Sequence, residues 1–259
     1  MKSTILFFSL TLFPLFLSAD ETFNDDGQFY VQLPPSWVIV PKPILDEHVR
    51  QVQQRMPKMP LTEFSFAYQP APKDDVWFTY PFCIGFVFRG GRPNEANFIQ
   101  FANRDFRSVF PKATALVEQR TQGIIDHSDF GVPVYDIQKH ILWTPLKISL
   151  PSGISAERRI TGIVAQLLTS DGYVKLRFYA SASEYETLLP QFKRMVESIR
   201  FQSNLQFTPH QATATPTTRT DGWEFFGKVI AFAVVGALVA AAKVSRKLKK
   251  TPSSGSTLD

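Results

Sequence analysis

Two apolar stretches, residues 160–168 and 173–179, are joined by little more than Ser170-Asp171-Gly172. A connection that short leaves room for one arrangement, an antiparallel hairpin, because a parallel crossover needs a dozen or more residues. Asp-Gly at the junction predicts a tight primed turn whose two central residues take positive φ. In the second stretch Val174, Leu176 and Phe178 point one way while Lys175 and Arg177 point the other, so one face of this strand is expected to be solvated or to cover a polar partner.

The same alternation recurs upstream. Phe29, Val31 and Leu33 alternate with Tyr30 and Gln32, Pro34 and Pro35 turn the chain, and a second short strand runs over 37–40. "LTEFSFAY" places Phe64, Phe66 and Tyr68 on one face, and "FCIGFVF" is apolar enough for a central strand. Residues 113–119 and 132–139 complete the extended segments, and 69–81 with its prolines reads as a loop.

Three helices punctuate the strands. Behind Pro43, Ile44, Leu45, His48, Val49, Val52 and Met56 fall at helical spacing, with acids in the first turn. Asn94 is placed to cap a second helix whose stripe is Phe98, Phe101, Ala102, Phe106 and Val109. In the third, Ser183 and Glu186 have capping-box spacing and Tyr185, Leu188, Leu189, Phe192, Val196 and Ile199 share a side, while Pro190 should break or kink the helix near Leu189. Two strands, helix, two strands, helix, four strands, helix is an α+β order: a mainly antiparallel sheet packed with helices.

"FYVQLPPSW" and "YVKLRFYASASEYETLLPQFKRMVESIRF" resemble the PsbP-like family, a fold shared by a photosystem extrinsic subunit, a Ran-binding nuclear import factor and small bacterial envelope lipoproteins. The intervening order of elements fits over residues 23–201. The resemblance implies an α-β-α sandwich and non-catalytic docking to a larger assembly, with no catalytic motif to carry over. The chain departs from the pattern at Ser36, where the family commonly has glycine, and in the proline-rich excursion 41–60.

The ends of the chain carry its charge. The pI is near 9.3, yet seven of the 28 Lys and Arg and two of the 23 Asp and Glu lie outside residues 20–222, leaving 21 of each within. That balance argues against a phosphate-binding face, so nucleic acid is not an expected partner. Residues 1–19 have the layout of a secretory signal: Lys2, an apolar run, and small residues before an acidic pair. The domain is expected over 20–205. A Thr/Pro-rich linker follows over 206–222, at ~3.3 Å per residue a reach of about 50 Å. Fourteen uncharged residues, 229–242, fall short of the ~20 a bilayer requires. Extension back through "WEFFGK" to 223 supplies the rest, with Trp223 at the interface and Lys228 able to snorkel.

The basic tail 243–259 is then a stop-transfer signal facing the cytoplasm. Ala233, Ala237 and Ala241 form a small-residue stripe on which a homodimer could pair within the membrane. Cys83 is the single cysteine, so no intrachain disulfide forms, and no Asn-x-Ser/Thr sequon is present. Both suit a bacterial envelope, with the domain periplasmic.

The metal-like cluster is Asp126, His127 and Asp129, with His140 not far along; the same residue types also build turns between strands. His48 is expected on the apolar side of its helix, Cys83 as a small buried hydrophobe, and Arg89-Gly90-Gly91 as a strand-to-helix turn. No G-x-S-x-G elbow or P-loop is present, and no motif asks for a cofactor. The expected function is a membrane-tethered, extracytoplasmic, non-enzymatic binding or docking domain, accessory to an envelope assembly and with a protein partner outside the cytoplasm. An envelope hydrolase or metal-dependent enzyme using Asp126, His127 and Asp129 is the alternative.

Overall fold

The computed structural model describes residues 21–55, 64–91, 93–103, 125–151 and 159–209. The expected strand over 113–119, Met56, Phe106, Val109 and Arg158 lie outside these, as do the signal segment, most of the linker, the apolar span and the basic tail. Among the described residues, no helix is long and apolar enough to cross a membrane.

In chain order the elements are β1 (Glu21–Asn24), β2 (Phe29–Gln32), β3 (Trp37–Ile39), α1 (Lys42–Arg55), β4 (Phe66–Pro70), β5 (Phe82–Arg89) and α2 (Glu95–Ala102). Then come β6 (His127–Phe130), β7 (Val134–Asp136), β8 (Ile141–Ser149), β9 (Arg159–Thr169), β10 (Gly172–Ser181), α3 (Tyr185–Glu197), β11 (Arg200–Phe201) and a 3₁₀ turn, Ser203–Leu205. One sheet has the order β3-β4-β5-β10-β9-β8-β6, with β7 also on β8; a smaller one has the order β1-β2-β11. Every described pairing is antiparallel. The fold is α+β, as the alternating patterns require.

Strand alternation sorts side chains to two faces of the large sheet. Val174, Leu176, Phe178 and Ala180 of β10 face Phe192, Met195 and Val196 of α3 and Phe29 and Val31 of the small sheet. On the opposite face Ile84, Val164, Leu146 and Tyr179 pack under Leu45 and Val52 of α1. Phe98 of α2 covers Leu142 and Leu168 further along that face.

The hairpin forms, but one residue out of the expected register. Thr169 pairs with Gly172, so the two-residue turn is Ser170-Asp171, and neither residue takes positive φ. Gly172 serves close approach instead: a Cβ there would lie 2.0 Å from the Phe88 carbonyl oxygen. The turn is clamped from β5. Arg89 donates to the Asp171 carboxylate (3.0 Å), to Thr169 Oγ1 and to the Gly27 carbonyl, and the Gly90 and Gly91 N–H groups donate to the Asp171 carbonyl. Arg89-Gly90-Gly91 thus lies between β5 and α2, with Gly90 at φ +100.

Other expectations are corrected. β10 is central, and Lys175 and Arg177 are 2% and 1% exposed rather than solvated. Phe64 precedes β4 and packs on the α1 face, opposite Phe66 and Tyr68. α1 begins at Lys42, so its first turn holds no acid and Asp46 and Glu47 come later.

No capping box forms at α3, which starts after Glu184 and runs through Pro190; Pro190 is exposed and costs the helix one N–H donor. Asn94 does cap α2, accepting from the Ala96 N–H at 3.0 Å. Ser36 takes φ +67 after Pro34-Pro35, the left-handed geometry that favours glycine.

β8 was not among the expected strands, because Pro145 within "ILWTPLKIS" speaks against an interior strand. The structure shows how the proline fits. Neighbouring β6 and β7 are one edge strand interrupted at residues 131–133, and the Pro145 carbonyl accepts from Gly131 at that interruption. In an antiparallel ladder a residue's N and C=O point to the same side, so the missing N–H falls where the edge strand has broken away.

Candidate functional site

The sequence candidates do not gather. Asp126 is exposed ahead of β6, and His127 and Asp129 share its outward side while Ser128 and Phe130 turn inward. The segment is therefore a strand, paired with Leu146–Ser149 of β8, rather than a turn. His140 lies beyond β7 and contacts other residues. Among the described residues no group of three or more His, Cys, Asp or Glu is placed to hold a metal ion. His48 is buried and stacks on Phe78 with ring centroids 3.5 Å apart. Cys83 is buried in the α3-side core, and burial pushes its thiol well above the usual range.

Polar groups converge instead at the corner where β7 turns into β8. Glu95, the first residue of α2, is held by the Asn94 cap so that its carboxylate reaches across to the sheet. Its Oε1 accepts from the Tyr135 hydroxyl at 2.8 Å and meets His140 Nδ1 at 2.7 Å. Burial first, then the hydrogen bond to Glu95 and after it the Glu95 charge, raise the Tyr135 hydroxyl far above the ordinary phenol range.

His140 takes φ +54. A non-glycine residue in that region costs about 1 kcal/mol or more, and the Glu95 contact and Phe207, whose ring meets the His140 imidazole edge-on at 4.9 Å, hold it there. Lys139 reaches Glu197 at the end of α3 (2.8 Å), and this contact raises its pKa.

The chain leaves the domain at this corner. Leu205 is buried, its carbonyl accepts from Ser170, and Gln206 bridges to Thr169. Phe207 packs against the cluster of Phe98, Leu142 and Leu168, as do Tyr135 and Tyr173. The packed residues therefore extend two past the expected boundary at 205.

The outer side of the same corner is apolar. Val132, Val134 and Ile137 are 66%, 60% and 61% exposed, above every other exposed large hydrophobic among the described residues. Pro133 and Tyr135 alternate with them and turn inward. Val134 stands opposite Trp143 of β8, on the sheet face that α3 covers over β10 and β9, and stays exposed there. The sequence showed the valines only as strand formers.

A different polar feature sits at the centre of the sheet. Lys175 and Arg177 are buried on the α1 side, Lys175 over the Tyr173 ring (5.3 Å) and Arg177 over the Phe64 ring (5.6 Å). Burial, then the neighbouring guanidinium, drives the Lys175 ammonium well below its usual pKa. Gln166, the Cα partner of Lys175 on β9, is also buried.

No protein-family model matches the sequence. The curated proteins give no match. Among solved structures, the chain is similar to cyanobacterial PsbP (CyanoP) from Synechocystis sp. PCC 6803, determined in solution. The likeness covers 71% of this chain and 92% of that one, at 7% identity and a TM-score of 0.41. A likeness of that degree assigns no family and carries no function; the fold stands on its own strand order and packing.

Proposed function

We propose that the protein is a membrane-tethered, extracytoplasmic docking domain without enzymatic activity, accessory to a larger envelope assembly. The observation that carries this reading is the way the chain leaves the fold. Gln206 and Phe207 are tied to the sheet at Thr169 and His140. The Thr/Pro-rich stretch follows at once, leading to the apolar residues 223–242 and the basic tail. A body fixed at the head of a stalk is built to meet something within the ~50 Å that the stalk allows. The sequence resemblance to a family of docking domains supports the same reading. The tail is proposed to face the cytoplasm and the domain the periplasm.

Crosslinking from native membranes tests the docking. With photoreactive residues at the exposed Tyr30 and Phe88, the full chain is expected to give a discrete protein adduct. Recovery of no adduct, together with one equivalent of metal lost on substitution of Asp126, His127 and Asp129, would turn the reading towards an envelope metalloenzyme.

A further inference from the structure

We infer that Val132, Val134 and Ile137 form a lipid-contacting strip that rests on the surface of the bilayer holding the chain; this rests on the tether proposed above. Val132 and Val134, two steps apart at ~3.3 Å each, lie about 7 Å from each other, and Ile137 follows at the start of the turn 137–140. Val132 and Val134 project together because Pro133 and Tyr135 alternate inward, and both remain exposed beside α3.

Its size selects the occupant. Three aliphatic side chains offer on the order of a few hundred Å², whereas a stable protein interface takes about 800 Å² from each partner. A bilayer surface needs no matching patch and accepts small apolar insertions at the headgroup boundary.

The exit of the chain supplies the rest. Phe207 packs on His140, three residues beyond Ile137, so residues 208–222 depart from the strip's own corner. At ~3.3 Å per residue they let the strip reach the membrane surface while keeping it close by, and a tethered contact operates at high effective concentration. The Asp136 carboxylate, between Val134 and Ile137 in the chain, is folded back onto the Gln138 and Lys139 N–H groups.

The test uses the full chain in vesicles of phosphatidylethanolamine and phosphatidylglycerol. Val134→Cys carries a nitrobenzoxadiazole label; Cys83 is buried and does not compete for it. The control position is Ile39→Cys on β3, at the opposite edge of the large sheet. With brominated acyl chains, emission from position 134 should fall at least twofold and that from position 39 should not. Adding Val132→Asp and Ile137→Asp should abolish the difference. Equal quenching at both positions in a chain that floats with the vesicles overturns the inference alone. A blue shift at 134 without bromine quenching also overturns it, in favour of a protein or a second copy. A chain that does not float overturns the inference and the tether together.

Discussion

Replacing Phe178 by alanine is expected to lower the unfolding free energy by about 3–5 kcal/mol, the range for a large aromatic lost from a close-packed core. Phe178 is fully buried on the central strand β10 and stacks on Phe192 of α3 at 4.8 Å with 23° between the rings. Its Cα partners are Ile163 on β9 and Cys83 on β5, both fixed in the ladder and unable to move in to fill the space. Val134→Ala on the bare edge is the contrast, expected to stay within about 0.5 kcal/mol. Urea unfolding of both variants measures the difference. Similar stabilities would mean that the α3 face is not the core.

The second large effect is a pH dependence. The folded state holds Lys175 with its pKa well below the ordinary 10.5, burial being the first cause and Arg177 the second. Between that depressed value and 10.5 the unfolded chain binds the proton and the folded one does not, so stability rises with pH across the window and levels off above it. Lys175→Met removes this slope and packs well in an apolar site. Near neutral pH the variant is expected to be more stable than the wild type. The advantage should shrink as pH rises, by at most about 1.4 kcal/mol per unit within the window. Groups such as Cys83 and Tyr68, both pushed up by burial, titrate in both proteins and cancel. Chemical denaturation of the pair at several pH values reads the difference directly. A difference that is flat, or that grows with pH, would show that Lys175 stays charged in the fold.

Much of the architecture was legible because alternation of period two is a direct consequence of strand geometry. The strands β2 and β10 followed from it, β5 and β9 followed from their apolar runs, and the stripe of α3 followed from the helical period of 3.6. What was not legible had specific physical causes. Pro145 masked β8, since its tolerance depends on a break in a neighbouring strand that sequence alone does not reveal. The strand β4 begins only at Phe66, so Phe64 ahead of it was assigned the wrong face.

Lys175 and Arg177 were expected to face solvent or a polar partner, because charged side chains are seldom fully buried. On a central strand with both faces covered, no outward direction was available. The corner of Glu95, Tyr135 and His140 joins residues 40 and 45 positions apart, and no local pattern encodes such a meeting. His140 was noticed only as a neighbour of Asp126, His127 and Asp129; of these, His127 and Asp129 lie along the outer side of the edge strand β6 and Asp126 precedes it.

Those corrections leave the tether as the central claim, since it decides which surfaces of the domain meet the membrane and which are free for a partner. Alkaline carbonate extraction of native membranes tests it most directly. The full chain is expected to stay with the membrane pellet, and a chain lacking residues 223–259 to pass into the supernatant. Release of the intact full chain into the supernatant would contradict a single membrane-crossing segment at residues 223–242.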